Sequence, residues 1–283
     1  MISVATTLEK TIVSAPEKAK PFLKWAGGKT QLLETISKYL PETFGRYFEP
    51  FLGSGALFFH LAPQKAVLCD SNEELITTYK VVRDNLEPLI ANLKRHVNSE
   101  DHFYATRATV VTKLSDIQKA SRLMYLNRTC FNGLYRVNRQ GQFNTPYGYY
   151  ANPKLCNEEN LWAVNKLLQS ADLMSGDYRA ALKNAKKGDF IYLDPPYMPV
   201  SQYSDFKRYT KESFHEEDHV ALAGIFRELS NRGCYVMLSN SNHPLVSKLY
   251  KGFYIKKVGA KRLINTNASK RGEVTELLIR NYV

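Results

Sequence analysis

Long apolar runs are missing from this sequence. None approaches the ~18 residues that a bilayer crossing requires, which excludes a spanning helix and implies no membrane partner. Cysteine is scarce too: Cys69, Cys130, Cys156 and Cys234 stand apart, with no Cys-x-x-Cys pair and no zinc spacing. A chain of 283 residues needs no disulfide staples, so these read as reduced thiols in a cytosolic protein. Internal repeats and low-complexity blocks are absent. A basic stretch leading into an apolar one is absent near Met1, so no targeting signal is read, and residues 1–20 are expected to form a mobile tail. Acid is in deficit: 27 Asp and Glu against 39 Lys and Arg leave +12, which favours a polyanionic partner or an acidic surface without choosing between them. With 44% hydrophobic residues a sizeable core is available, so wholesale disorder is excluded.

What is present alternates between strand and helix. Thr30–Leu40 carries Leu32, Leu33, Ile36, Tyr39 and Leu40 on one helical face, stopped by Pro41. Arg46–Phe51 reads as a strand entering the turn Gly53-Ser54-Gly55, and Ala56–Leu61 as the helix beyond it. Ala66–Cys69 reads as a buried strand ending in Asp70, completing a βαβ unit. Ile76–Val97 and Ser115–Leu126 look helical, residues 127–153 are dense in aromatics, Asn, Arg and Gly, and Asn165–Leu168 is helical again. Alternation resumes with strand Phe190–Leu193, a helix over Phe214–Leu229 opened by a Ser213/Glu216 capping box, strand Tyr235–Leu238, and closing strands Phe253–Val258 and Val274–Ile279. The expected fold is an α/β core at 21–72 and 166–283, interrupted by a mainly helical second domain at 73–165.

Several tempting motifs fail. Trp25–Thr30 (Trp-Ala-Gly-Gly-Lys-Thr) lacks the first glycine of a phosphate loop, because position 23 is Leu23. The third glycine of a dinucleotide fingerprint is replaced by Phe58, which argues against a nicotinamide cofactor. His215–His219 matches His-Glu-x-x-His, but the stretch is too polar for a metal helix and reads as an acidic first turn suited to the helix dipole; no metal is expected.

The sharpest signal is Asp194-Pro195-Pro196-Tyr197 directly after Phe190–Leu193. Two prolines forbid continuation of helix or strand. The chain is therefore stiff at the carboxyl edge of a parallel sheet, where open α/β folds bind ligands, and it offers an acid, fixed carbonyls and an aromatic face together. That set suits an exocyclic aromatic amine, a poor nucleophile. Asp194 and the Pro195 carbonyl can accept its two hydrogens and draw the nitrogen toward tetrahedral geometry. Tyr197 can stack on the ring and stabilise growing positive charge. A methyl sulfonium is the natural electrophile, because its transfer is one in-line displacement assisted mainly by positioning. Gly53 and Gly55 would let backbone approach such a ligand, and Asp70 could accept ribose hydroxyls.

These residues in this order resemble the D12-class, Dam-type DNA adenine N6-methyltransferases of the α-group, and most nearly the GATC methylases of DpnII-type restriction-modification systems. The likeness runs from Pro21 to Tyr282. It rests on Lys24–Lys29, on Glu49–Gly55 (Glu-Pro-Phe-Leu-Gly-Ser-Gly), on Asp194–Tyr197, on Phe131–Asn138 through Phe143–Gly148, and on Ser239-Asn240-Ser241. The resemblance implies a Rossmann-like class I core with an inserted target-recognition domain. It implies S-adenosylmethionine, leaving as S-adenosylhomocysteine, held by Trp25, Lys29, Phe51, Gly53, Gly55, Asp70 and Asp194. Double-stranded DNA would be bound through Lys24, Phe131, Asn132, Leu134, Arg136, Asn138, Pro146 and Tyr150. Arg136 fits a guanine reader, Leu134 the contact to a thymine methyl, Lys24 a guanine contact in the other half-site, and Phe131 an aromatic wedge beside a flipped base. A paired restriction endonuclease and a cytoplasmic, nucleoid-associated, bacterial setting are implied as well. Candidate phosphate contacts are Arg122, Arg128, Arg139, Lys207, Arg208, Lys261, Arg262, Lys270 and Arg271. Two alternatives stay open: the same core acting on RNA or a protein amide, and a DNA-binding module without catalysis.

Overall fold

The apolar runs line up as one sheet. The computed structural model describes residues 18–25, 27–199, 214–261 and 273–283. Its strands are β1 (Tyr47–Glu49), β2 (Ala66–Asp70), β3 (Ala171–Ser175), β4 (Phe190–Leu193), β5 (Tyr235–Ser241), β6 (Tyr254–Lys261) and β7 (Glu273–Arg280). They form a seven-stranded sheet in the order β3-β2-β1-β4-β5-β7-β6. The strands from β1 to β5 run parallel, and β7 runs against both β5 and β6. The direction of winding reverses between β1 and β4. Open α/β sheets bind ligands at such a reversal, and Glu49–Gly55 and Asp194–Tyr197 both emerge there, at the carboxyl ends of β1 and β4.

The expected Rossmann-like core is present, and side-chain alternation explains its layers. Tyr47, Leu68, Phe190, Tyr192, Met237 and Leu278 point to one face. Phe48, Val67, Ile191, Leu193, Val236, Leu238 and Ile279 point to the other. Because β4 is covered on both faces, Phe190–Leu193 is apolar throughout and fully buried. The second face is closed by α8 (Tyr178–Leu182), α9 (Glu216–Asn231) and α10 (Pro244–Leu249).

The first face carries α1 (Leu33–Ser37), α2 (Ala56–Leu61) and a long excursion between β2 and β3. That excursion holds α3 (Glu73–Asp84), α4 (Leu86–Leu93), α5 (Glu100–Ala108), α6 (Asp116–Thr129) and α7 (Glu158–Leu168). Its apolar residues, among them Tyr79, Val82, Leu89, Leu123, Val164 and Leu168, share one core with the sheet. A hairpin-like ribbon follows α6, with bridges Cys130–Tyr147 and Val137–Phe143.

Local chemistry moves several boundaries. Thr30–Leu40 is not one helix: a 3-10 turn at Lys29–Gln31 precedes the short α1. The stretch Ile76–Val97 breaks at Asn85, whose backbone leaves helical values (φ −138°), so it forms α3 and α4. Asn72 caps α3, its side chain accepting from the Leu75 N–H at 3.0 Å. The capping box of α9 is His215 with Asp218, whose carboxylate accepts from His215 N at 2.8 Å, rather than Ser213 with Glu216. Ser213 lies outside the described residues, as does most of the expected tail.

Candidate active site and nucleic-acid interface

The turn after β1 explains both of its glycines. Gly53 and Gly55 have φ +48° and +64°, values that side-chain-bearing residues rarely adopt. A Cβ on Gly55 would lie 3.1 Å from the Tyr79 hydroxyl, and one on Gly53 2.9 Å from Trp25 Cδ1. The indole of the first motif is thus laid directly on the turn of the second. Asp70 ends β2 and fixes the same turn: its Oδ2 accepts from Gly53 N and its Oδ1 from Asn72 N, both at 2.9 Å. Burial raises the Asp70 pKa, and those two N–H groups oppose the rise.

Lys29 joins the first motif to the proline corner. It is 6% exposed, so its ammonium must be paired. Its Nζ lies 2.8 Å from Asp194 Oδ2, donates to the Gly27 carbonyl at 2.6 Å, and sits 4.7 Å from the centre of the Tyr197 ring. The other oxygen, Asp194 Oδ1, is buried and accepts no hydrogen bond of ordinary geometry among the described residues. Burial, with a smaller push from Glu276, raises the Asp194 carboxyl to about 6 against Lys29 and the Tyr197 hydroxyl, which favour its ionised form. Glu49, at the end of β1, is raised to about 8 by burial, while Tyr47, whose hydroxyl donates to its Oε2 at 2.9 Å, counters the rise.

The corner is pinned from β5 and β7. Met198 N donates to Asn240 Oδ1 at 3.1 Å, Ser241 Oγ donates to the Met198 carbonyl at 2.6 Å, and the Tyr197 hydroxyl donates to Glu276 Oε2 at 2.7 Å. Sequence reasoning missed Glu49 and Glu276 as site residues, and used Ser239–Ser241 only as a likeness. The one available signal was a polar Ser-Asn-Ser run ending an otherwise apolar strand. Phe51 turns toward the second face, its ring 5.0 Å from Tyr178 and 6.1 Å from Phe214.

The ribbon after α6 is tied to the same first motif. Asn127 is fully buried. It accepts from Lys24 N at 2.8 Å and donates to the carbonyls of Lys24 and Gly133 at 2.7 and 3.1 Å. Trp25 stacks on Tyr135 with centroids 4.8 Å apart. Lys24 Nζ lies 5.0 Å from the Tyr150 ring centre. Phe131 is 47% exposed, which a wedge residue requires, and its N–H donates to the Pro146 carbonyl at 2.9 Å. Asn132 takes φ +56°, Leu134 is half-buried, and Arg136 is steered by Asn144, its Nε donating to Oδ1 at 2.8 Å. The Asn138 side chain is engaged within its own turn, accepting from Gln140 N and Gln142 N.

The structure corrects one phosphate candidate. Arg122 is 4% exposed; it pairs with Glu74 at 3.0 Å and donates to the carbonyls of Thr106 and Arg107, so it belongs to the core. Arg128 is half-buried and donates to the Phe22 carbonyl at 2.7 Å, whereas Arg139 is exposed. Lys207, Arg208, Arg262, Lys270, Arg271 and the Lys261 side chain lie outside the described residues. The two histidines of His215–His219 part company: His215 caps α9, and His219 is buried edge-on to Phe214 at 4.8 Å.

Residues 25–264 match the model of the D12 class N6 adenine-specific DNA methyltransferases. The chain belongs to that family. As a D12-class enzyme it is an adenine-specific, site-specific DNA methyltransferase. It is 47% identical over 271 residues to the Type II methyltransferase M1.LlaDCHI of Lactococcus lactis subsp. cremoris, covering 93% of this chain and 95% of the relative. It is 41% identical to the Type II methyltransferase M.MjaIII of Methanocaldococcus jannaschii, over 94% of this chain and 100% of that one. It is 34% identical to the DNA adenine methylase of Serratia marcescens, over 93% and 98%. Among the described residues, no helix of this D12-class chain is long and apolar enough to cross a membrane.

Proposed function

We propose that this enzyme methylates the N6 nitrogen of adenine within GATC in duplex DNA, using S-adenosylmethionine, on a base rotated out of the helix. The observation that carries the catalytic part is Asp194. One oxygen is held by Lys29, and the other is buried and free of ordinary hydrogen bonds among the described residues. A buried acceptor of that kind is costly unless a ligand donates to it, and an exocyclic amine is such a donor.

The residues present fit the cofactor. Trp25 packs on the glycine turn where a side chain would collide, which puts the indole beside the Gly53 N–H that Asp70 accepts. Asp70 accepts from the N–H groups of Gly53, Asn72 and Ser71, which leaves one of its roughly four lone-pair sites for a ribose hydroxyl. When bound, the cofactor supplies a methyl group on a sulfonium and departs as the thioether S-adenosylhomocysteine. Asp194 Oδ1 and the Pro195 carbonyl accept the two N6 hydrogens and turn the nitrogen lone pair toward the methyl carbon. Lys29 lies on one face of Tyr197, leaving the ring's other face for the base. Asp194 takes the proton that N6 must lose after transfer, a role suited to a carboxyl near 6.

Extruding an adenine costs roughly a few kcal/mol. Stacking on Tyr197 and insertion of the exposed Phe131 offset that cost. Residues 73–165 form the target-reading unit. Arg136 reads guanine, Leu134 lies against the thymine methyl, and Lys24 reaches the second half-site, with Asn132, Pro146 and Tyr150 supporting the loop. Asn138 serves chiefly by holding its turn. Phe51 borders the cofactor from the second face. The relatives named Type II methyltransferases support pairing with a restriction endonuclease, and a duplex DNA substrate supports residence on the nucleoid.

The test is single-molecule sequencing of plasmid DNA after incubation with enzyme and S-adenosylmethionine, beside rate comparisons on duplex, single-stranded DNA and RNA. N6-methyladenine confined to GATC, formed fastest on duplex, is expected. Modification at another sequence would remove the GATC assignment, and preference for RNA would remove the substrate assignment. Asp194→Ala should abolish transfer while the chain stays folded by circular dichroism, with a thermal midpoint lowered because buried Lys29 loses its partner; retained transfer would overturn the catalytic role.

A further inference from the structure

Glu276 lies on β7, the strand that runs against its neighbours, and is 79 residues from the residue it holds. Its Oε2 accepts from the Tyr197 hydroxyl at 2.7 Å. Across the ladder Glu276 is the register partner of Ser241, whose Oγ donates to the Met198 carbonyl at 2.6 Å. Two cross-strand neighbours thus grip consecutive residues of the proline corner, one through a side chain and one through the backbone. A Tyr side chain on a loop has two rotatable torsions. The corner's prolines fix its backbone but leave the ring plane undetermined. A carboxylate acceptor at the far end of the ring supplies the missing constraint, and charge-assisted hydrogen bonds are the stronger kind.

We infer that Glu276 is a positioning residue for methyl transfer: through the Tyr197 hydroxyl it fixes the plane on which the flipped adenine stacks, and its carboxylate adds negative charge beside the corner. This rests on the adenine-methylating function proposed above. The second half follows from what surrounds Asp194. Lys29 faces it from the first motif, Tyr197 from the corner itself, Glu276 from β7, Tyr192 from β4, and Glu49 from β1. Among the described residues, Glu276 is thus a negative neighbour partly opposing the Lys29 ammonium. Removing its charge while retaining an acceptor should leave Asp194 easier to ionise.

The experiment measures single-turnover methyl transfer to duplex DNA against pH for wild type, Glu276→Gln, Glu276→Ala, Tyr197→Phe and the Glu276→Ala/Tyr197→Phe double variant. Calorimetric binding of S-adenosylhomocysteine and thermal midpoints are measured on each. Glu276→Gln is expected to keep the rate at neutral pH within about threefold and to move the acid limb of the profile to lower pH, because the charge is gone and the acceptor stays. Glu276→Ala and Tyr197→Phe should each lose roughly tenfold or more in rate with cofactor binding unchanged, and the double variant should lose no more than either, the signature of one shared interaction. An unmoved acid limb in Glu276→Gln would overturn the electrostatic half. Additive losses in the double variant, or a wild-type rate in Glu276→Ala, would overturn the positioning half. If Glu276→Ala fails to fold, the Glu276→Gln profile still decides the first. Tyr197→Phe decides the second: a wild-type rate overturns it, whereas a loss that matches neither cofactor binding nor stability sustains it. A wild-type enzyme that leaves duplex adenine unmodified would instead defeat the parent reading.

Discussion

At the scale of single residues, the site is built from groups that cannot be exchanged for look-alikes. Gly133 shows why. Its φ is +62°, and a Cβ there would stand 2.3 Å from Lys24 Cδ. Left-handed backbone on a side-chain-bearing residue costs about 1–3 kcal/mol, and the collision adds to it. Gly133→Ala should lower the unfolding midpoint in urea and weaken duplex binding together, because the displaced partner is the lysine expected to reach DNA. Asp194 gives a prediction of the opposite kind, one of acidity. The carboxyl must be ionised to accept from N6, and its pKa stands at about 6. The transfer rate should therefore climb with pH through about 6 and level off above it, measured by single-turnover assay on the wild type. The Asp-Pro-Pro-Tyr corner was legible from residue order alone, since prolines and an acid at a strand exit have few other uses. Glu276 was not, because its partner is remote in sequence and meets it only once the sheet is assembled.

At the scale of elements, α6 carries the clearest prediction. Arg122 on α6 and Glu74 on α3 form a buried pair, with Tyr135 donating to the other Glu74 oxygen at 3.3 Å. Breaking a buried pair by removing one partner typically costs about 3–5 kcal/mol. Arg122→Ala should destabilise the fold by roughly that amount in urea unfolding. Arg139→Ala, at an exposed position, should leave stability unchanged and lower the salt dependence of duplex binding by about one charge. A sequence alone could not separate these two arginines, because a side chain's charge is visible in sequence and its burial is not. Helix breaks divide the same way. The Ser115 cap of α6 and the glycine turn before α2 carry local chemistry that can be read directly. The break at Asn85 is set by packing, and β3, an edge strand with a mixed polar pattern, offers too weak an alternation to be recognised.

At the scale of the whole molecule, charge and pH act on every part at once. The surplus of +12 should make duplex affinity fall linearly on a logarithmic salt scale, measurable by fluorescence titration between low and physiological salt. Acid removes the stability that the buried histidines supply. Burial lowers His96 and His219 to about 4, below the 6.5 of an exposed imidazole. The unfolded chain binds more protons between those values, so the stability these groups contribute is present above about 6.5 and is lost as pH falls through about 4. Glu49 and Asp194, raised to about 8 and about 6, shift with the opposite sign, so the histidines lower the thermal midpoint across that window against a rise from these two carboxyls. His96→Phe, which keeps the stack on Tyr125 at 4.3 Å, should flatten the drop. That the glycine turn and the proline corner sit at strand exits follows from strand and motif order. That the inserted helices share the sheet's own core does not, since it depends on which faces meet.

One short segment has a consequence for how this enzyme is dissected. Lys24 and Trp25 are adjacent in sequence, yet the first is clasped by Asn127 of α6 and lies against Gly133 and Tyr150 of the ribbon beyond it, while the second rests on the glycine turn. A lever with two loads cannot be trimmed at one end alone. Substitutions there should produce mixed phenotypes in which small-molecule affinity and sequence preference shift together, so neither defect can be credited to one ligand until both are titrated separately.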